Sequence, residues 1–186
     1  MKNIILAILV AMTSLTSWSA NAEGRQQSEV APKILVAYFS WGGNTQKMAE
    51  EIARQTGAEL FRIETKEAYP TEYRACTEVA LKELRENKHP EMKVIKDNLN
   101  DYDIIFVGCP VWWHTAPMVI NSFFEYSGYH FEEKTIIPFV TYEATYRDET
   151  LAKIVELSPT ANHLKGYGTT GDVSGVNNWL KEIGIK

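Results

Sequence analysis

Apolar and polar positions follow two different periods along the chain, and the two periods alternate from one segment to the next. Short, nearly continuous apolar runs predict buried strands, whereas apolar residues spaced three or four positions apart predict amphipathic helices. The predicted strands are residues 33–39, 59–64, 103–109, 135–142 and 163–169. The predicted helices are residues 44–55, 69–88, 117–126, 148–157 and a last helix that carries Val176, Trp179, Leu180 and Ile183. This alternation predicts an α/β domain with a parallel sheet and helices on both of its faces.

Three local features refine this pattern. In the second helix, the apolar spacing predicts that Tyr73, Ala80, Leu81 and Leu84 face the core. Pro138 interrupts the fourth strand, and because proline lacks an N–H group, a bulge is expected there. Ser174 precedes the last helix, and a serine in that position is typical of an N-cap.

The first residues of the chain differ in kind from the rest. Lys2 precedes an unbroken apolar run over residues 4–12, and Ala20-Asn21-Ala22 matches an A-x-A cleavage pattern. An uncleaved membrane anchor is the alternative, but the run is far shorter than the ~20 apolar residues of a membrane-spanning helix. We therefore interpret residues 1–22 as a signal peptide, residues 23–32 as a flexible leader and residues 33–186 as one domain. The expected protein is exported, to the periplasm, with no membrane span after cleavage.

Composition and charge narrow the possible functions. The chain has 186 residues, is 45% hydrophobic and has a net charge of −5, which is typical of one soluble domain. An acidic protein is a poor candidate for nucleic acid and a better one for a basic protein partner. Cys76 and Cys109 are expected to be separate buried thiols, although a disulfide is an alternative. The histidines and cysteines lack metal-ligand spacing, so no metal site is predicted.

The first predicted strand ends in the loop "YFSWGGNT", residues 38–45. Gly42 and Gly43 allow the backbone to approach a ligand, and the free amides at the start of the next helix attract an anion. Ser40, Asn44 and Thr45 add side-chain donors, so the loop predicts a phosphate site without a lysine or arginine. The patterns G-x-x-x-x-G-K-[ST] and G-x-G-x-x-G are absent, which argues against a nucleotide triphosphatase and a dinucleotide fingerprint. A glycine turn without a ligand is the alternative.

A second loop, "GCPVWWHTAP", follows the third predicted strand over residues 108–117. Adjacent side chains cannot both face one core, so we expect Trp112 or Trp113 to face a cleft and to offer a flat surface to a planar aromatic ligand. The alternative is a tryptophan pair that packs under the next helix.

These motifs, in this order, resemble those of the flavodoxins, and more closely a flavodoxin-like branch with a G-x-P-x-W-W second loop. "YFSWGGNT" resembles the family's phosphate loop, "YDIIFVGCPVWW" its third strand and flavin-stacking loop, "AYPTEYRACTEVALKE" the branch's second helix and "VNNWLKEIGI" its terminal helix. The resemblance implies a three-layer sandwich with a five-stranded parallel sheet in the order 2-1-3-4-5 and noncovalent FMN. The FMN-binding residues that it implies in the first two loops are Ser40, Trp41, Gly42, Gly43, Asn44, Thr45, Pro110, Val111, Trp112 and Trp113.

The third loop of the family follows the fourth strand and usually contains glycine or serine amides that bind the pyrimidine edge of the flavin. Here the loop reads "FVTYEATYRDET" and lacks glycine. The resemblance places Thr141, Tyr142 and Glu143 in this part of the FMN site. Tyr142 or Tyr146 could cover the second ring face, or both could pack on neighbouring helices.

The implied function is electron transfer through FMN, with a redox protein partner or a small-molecule acceptor and without a catalytic side chain. An FMN-dependent reductase of quinones or other small molecules is an alternative. A flavodoxin-fold binding protein without a redox role is a third interpretation, from a different functional class.

Overall fold

Strands and helices alternate through the part of the chain that the structure describes. A computed structural model describes residues 31–126 and 131–186, so the predicted signal peptide and most of the predicted leader lie outside the described residues. The elements, in chain order, are β1 (Ile34–Tyr38), α1 (Asn44–Thr56), β2 (Glu59–Arg62), α2 (Tyr73–Glu86), a 3-10 turn (Leu99–Asp101), β3 (Ile104–Pro110), α3 (Met118–Tyr126), β4 (Thr135–Thr141), α4 (Arg147–Glu156), β5 (Asn162–His163), β6 (Tyr167–Thr169) and α5 (Val176–Glu182).

The strands form one parallel sheet in the order β2-β1-β3-β4-β5, and β6 also pairs with β4. Because β5 and β6 are two pieces of the fifth predicted strand, this arrangement confirms the predicted order 2-1-3-4-5. Leu35 of β1 pairs with Ile105 of β3, which pairs with Ile136 of β4, and all three side chains are fully buried. Parallel strands whose carboxyl ends meet at one edge bring the loops that follow them together.

Helices cover both faces of the sheet, which explains why its central strands are almost continuously apolar. Leu35 packs in a core with residues of α3 and α4, including Phe123 and Ile154. Its neighbour Val36 faces the other way and packs with residues of α1 and α5, including Ile52. Complete burial of an aliphatic side chain of this size contributes about 1.5–3 kcal/mol. The two cores hold the sheet rigid beneath the loops at its edge.

The irregularity expected at Pro138 lies in the neighbouring strand. β4 pairs with β3 without interruption from Thr135 to Thr141, so the prediction of a bulge in β4 is wrong. On the other side of β4, Ile136 pairs with His163 and Phe139 pairs with Tyr167. The partner segment therefore has one more residue than β4 between these two pairs. Since Pro138 has no amide hydrogen to donate, we attribute the split into β5 and β6 to this position.

Helix α2 begins later than its pattern predicts and turns a different face inward. The Glu72 carboxylate accepts hydrogen bonds from the amides of Arg74 and Ala75, the latter at 2.7 Å, and so caps the helix. Tyr73 is 71% exposed, so its predicted core position is wrong. Leu81 and Leu84 are half-buried, and the buried residues of the helix are Cys76, Ala80 and Glu83.

The N-terminus of α5 also differs from the prediction. The N-cap is Gly175, and no side chain caps the helix, so the prediction that Ser174 is the cap is wrong. The Ser174 hydroxyl instead donates to the carboxylate of Asp172 at 2.7 Å. The Ser174 hydroxyl therefore bonds to a nearby carboxylate and not to the amides at the start of the helix.

Candidate functional site

A cavity of about 540 Å³ opens beyond the carboxyl ends of β1, β3 and β4. Every residue predicted for the FMN site lines this cavity except Gly43. Gly43 is the N-cap of α1 and has a left-handed backbone with a φ of 93°, which glycine adopts without strain. Three loops far apart in sequence thus converge on one cavity at the edge of the sheet.

The first loop presents free amides at the start of α1. The Ser40 side-chain oxygen accepts hydrogen bonds from the amides of Gly43 and Gln46, each at 3.2 Å. Within the described residues, no protein acceptor takes the amides of Asn44 and Thr45. These two amides stand at the positive end of the helix dipole, where an anion is stabilised.

The hydroxyl groups of this loop are buried and already bonded within the protein. Ser40 acts as an acceptor, so its own hydrogen stays available to a ligand. The Thr45 hydroxyl pairs with that of Thr141 at 2.7 Å, which ties the first loop to the end of β4. Because one hydroxyl of that pair donates to the other, one hydrogen of the pair is left over for a ligand.

Sequence reasoning missed a cation behind this loop. The guanidinium of Arg62 donates to the backbone oxygen of Ser40 at 3.0 Å and to the side-chain oxygen of Gln46 at 2.8 Å. Arg62 is the last residue of β2 and pairs in register with Tyr38, the last residue of β1. A parallel pairing of β1 and β2 is the signal that could have placed this arginine beside the loop.

The second loop supplies an aromatic wall. Trp112 is half-buried and meets Phe39 and Tyr69 edge to face, with ring centroids 5.2 Å and 5.1 Å away. The Tyr69 hydroxyl donates to the Glu83 carboxylate at 2.7 Å. Glu83 is only 8% exposed, and burial raises the pKa of its carboxyl group. The indole of Trp112 is therefore fixed from behind by two aromatic rings and a buried acid.

Trp113 points to the rim of the same cavity. It is 42% exposed, and its indole N–H donates to the backbone oxygen of Thr77 in α2 at 3.0 Å. The structure thus gives the two adjacent tryptophans different surroundings, with Trp112 held in the wall by two aromatic rings and Trp113 at its exposed edge.

Residues 112–115 form a tight turn with left-handed backbone at both central positions. The amide and carbonyl groups of Trp112 and Thr115 bond each other at 3.0 Å in both directions, and the φ values of Trp113 and His114 are 45° and 67°. Such turns favour Asn-Gly because other residues are strained there, typically by about 1–3 kcal/mol each. The His114 ring stacks on Tyr146, with centroids 3.8 Å apart, and Tyr146 also has a positive φ of 62°.

The third loop completes the cavity. Thr141, Tyr142 and Glu143 line it, and Tyr142 also packs against the core on the α3 side of the sheet. Glu143 is exposed. Tyr146 does not line the cavity, and its ring stacks on His114, which does.

Sequence reasoning also missed the wall that α2 contributes. Tyr73, Cys76, Thr77 and Ala80 line the cavity, as does His114. Small side chains about one turn apart on α2, the helix that follows β2, are the signal that could have indicated this wall. Cys76 and Cys109 are both free and buried, and burial raises the pKa of the Cys76 thiol to about 11. Neither thiol is therefore disposed to ionise near neutral pH.

Within the described ranges, 31–126 and 131–186, no helix has the length and apolar character needed to cross a bilayer. No group of three or more histidine, cysteine or acidic side chains there could hold a metal ion.

The family model for flavodoxin matches residues 33–183. A candidate flavoprotein from Bacteroides eggerthii is 30% identical, with a TM-score of 0.71 over 83% of this chain and 99% of that chain. A candidate flavoprotein from Bacteroides uniformis is 28% identical, with a TM-score of 0.70 over 82% and 99% of the two chains. A Lactobacillus acidophilus flavoprotein, solved in complex with FMN, is 26% identical, with a TM-score of 0.67 over 80% and 99%. No curated protein matches the chain. The family match covers most of the sequence and the fold agrees with it, so the chain belongs to the flavodoxin family.

Proposed function

We propose that the chain binds FMN noncovalently in the cavity at the edge of the sheet and uses it for electron transfer. The observation that carries this proposal is the pair of free amides on Asn44 and Thr45, which open α1 at one end of the cavity. The relative from Lactobacillus acidophilus, whose structure contains FMN, supports the same cofactor.

The phosphate of FMN fits the first loop. The two free amides and the dipole of α1 favour a dianion, and the hydrogen of the Ser40 hydroxyl is available to it. Arg62 lies behind the loop and adds a positive charge without lining the cavity. The loop therefore binds an anion mainly through backbone donors, with the arginine as a supporting charge.

The ring of FMN fits the aromatic wall. Trp112 lines the cavity and is held by Phe39 and Tyr69, so its orientation is fixed before a ligand arrives. Bound FMN supplies one- or two-electron chemistry, and the protein contributes binding, orientation and the electrostatic surroundings. No side chain is assigned a catalytic step.

Comparison of FMN with riboflavin tests the proposal. Riboflavin lacks the phosphate, so fluorescence titration should show much tighter binding of FMN. The variants Ser40→Ala and Thr45→Val should each weaken FMN binding by about 1–3 kcal/mol, the range for a hydrogen bond to a charged group. Both variants should change riboflavin binding less, which serves as the matched control. Equal affinity of the unchanged protein for the two flavins would contradict a phosphate site in this loop.

A reductase of quinones or other small molecules is the second candidate. It is favoured by the exposed aromatic side chains around the mouth of the cavity, Trp41, Tyr73 and Trp113. Steady-state oxidation of NADPH in the presence of a quinone separates a reductase from a carrier, since a carrier alone does not turn over these substrates. A purified protein without flavin, and without affinity for it, would favour a binding protein that has no redox role.

A further inference from the structure

The strained backbone of the described residues is concentrated at the mouth of the cavity. The non-glycine residues with positive φ in the described ranges are Asn87, Trp113, His114 and Tyr146. Asn87 ends α2, where a left-handed asparagine is common. The other three are bulky residues in one cluster, joined by the stack of His114 on Tyr146. Strain of this kind is found at functional sites, where surrounding contacts hold it in place.

His114 differs from the other histidines that the structure describes. A ring nitrogen of His89 is bonded to Glu125 and one of His163 to Ser158. His114 is exposed and lines the cavity, and neither of its ring nitrogens is hydrogen-bonded to another of the described residues. The stack on Tyr146 orients the ring but leaves both nitrogens unpaired. An imidazole carries at least one N–H donor in either protonation state.

The surroundings of His114 indicate what it can bind. Glu143 is the one carboxylate that lines the cavity, and among the described residues no lysine or arginine does so. Apart from the free amides of Asn44 and Thr45, which the FMN phosphate would take, the described residues of the cavity offer an anionic ligand a negative charge and no facing lysine or arginine. The exposed rings of Trp113 and Tyr73 offer flat apolar surfaces beside the histidine. A neutral, planar aromatic molecule with an oxygen acceptor suits these groups.

We propose that His114 is a specificity-determining residue that donates a hydrogen bond to the carbonyl oxygen of a neutral planar aromatic acceptor, of the quinone class, at the mouth of the cavity. This inference rests on the proposed function, because the acceptor is useful only beside bound flavin. This role would explain the left-handed turn at Trp113 and His114. The turn places the imidazole at the cavity, and the stack on Tyr146 orients it there.

Two substitutions at one position separate donation from packing. His114→Phe keeps a ring that can stack on Tyr146 and keeps the strained backbone, but it removes the N–H donor. His114→Gly removes the ring and suits the positive φ, so it should fold at least as well as the unchanged protein. Thermal unfolding of both variants checks this before ligands are compared.

The probes are 1,4-naphthoquinone and naphthalene, titrated into the oxidised, FMN-loaded protein, where no electrons are available to the quinone. Both variants should bind naphthoquinone about tenfold more weakly than the unchanged protein, as expected for the loss of one hydrogen bond. His114→Phe should leave the binding of naphthalene, which has no oxygen, nearly unchanged. FMN affinity is measured for both variants first, so that naphthoquinone binding is compared at full flavin occupancy.

The possible failures are distinguishable. If His114→Phe binds naphthoquinone like the unchanged protein, the histidine only packs and the inference is overturned while the proposed function stands. If both variants lose FMN affinity instead, His114 contacts the flavin and the acceptor assignment is wrong. If the unchanged protein binds no FMN, the proposed function fails and the inference fails with it.

Discussion

At the scale of single residues, the aromatic wall of the site depends on Glu83, a buried acid that does not itself line the cavity. Glu83 lies along the same side of α2 as Cys76 and Ala80, which line the cavity. Its carboxylate accepts from Tyr69, and the Tyr69 ring meets Trp112 edge to face. A buried carboxyl group is costly when ionised, and one hydrogen bond offsets only part of that cost.

This acid should make the stability of the protein depend on pH. Burial, the largest cause, raises the pKa of Glu83 above its ordinary value of 4.5. The folded protein therefore keeps a proton that the unfolded chain releases, and the free energy of unfolding falls as the pH rises from about 4.5 through the raised pKa. Glu83→Gln removes this dependence, so the variant should gain stability relative to the unchanged protein over that range.

Urea unfolding of the flavin-free proteins at a series of pH values measures the effect. Glu86→Gln removes a carboxylate from the exposed part of the same helix and is the matched control. A difference between Glu83→Gln and the unchanged protein that stays constant with pH would show that Glu83 has the same proton affinity in both states.

At the scale of elements, helix α1 is capped from a distance. Its N-cap, Gly43, has no side chain, and the acceptor for two of its first amides is Ser40, which follows β1. The two amides that Ser40 leaves free are those that face the cavity. The same serine therefore stabilises the helix and limits the donors that a phosphate can use.

Removal of this cap should destabilise the flavin-free protein. Ser40→Ala leaves the amides of Gly43 and Gln46 without their acceptor, and the loss of a helix cap costs about 1 kcal/mol. Ser174→Ala is the matched control, because Ser174 bonds to Asp172 and caps no helix, so its substitution should change the free energy of unfolding little. Chemical unfolding measures both. Equal losses in the two variants would contradict the capping role of Ser40.

At the scale of the whole molecule, the two hydrophobic cores and the ligand cavity are formed by largely different residues. The two cores pack between the sheet and its helices, whereas the cavity is built from loops at one edge of the sheet and from one side of α2. Few of the residues that line the cavity belong to either core. The fold therefore does not require the ligand, and loop residues can determine binding while the cores hold their positions.

The flavin-free protein should accordingly fold by itself. We propose that residues 1–22 direct export of the unfolded chain, so FMN is bound after the domain has folded. Unfolding without flavin should be one cooperative transition, and FMN at a hundredfold excess over its Kd should add about 2.7 kcal/mol to the free energy of unfolding. Circular dichroism during urea unfolding measures both, and N-terminal sequencing of exported protein should begin at Glu23. A flavin-free chain that is unfolded would contradict this order of events.

The sequence by itself determined the alternation of strands and helices, the loops that end the strands and, through resemblance, the order of the sheet. These features depend on local periodicity and on strand direction, which places "SWGGNT" and "CPVWW" at one edge. The sequence also indicates a glycine-rich approach to the ligand in the first loop, but the left-handed backbone of Gly43 at the start of α1 is seen only in the structure. Even so, a local pattern cannot say which side of a helix meets a neighbour.

Only the tertiary structure decided the partners of the side chains. It exposes Tyr73 at the cavity, turns Ser174 toward Asp172 and places Arg62 behind the loop that follows β1. It joins the hydroxyls of Thr45 and Thr141, which are 96 positions apart in the sequence. Hydrogen bonds and ring contacts of this kind form between residues that are distant along the chain, and their geometry is fixed only when the sheet, the helices and the loops have packed together.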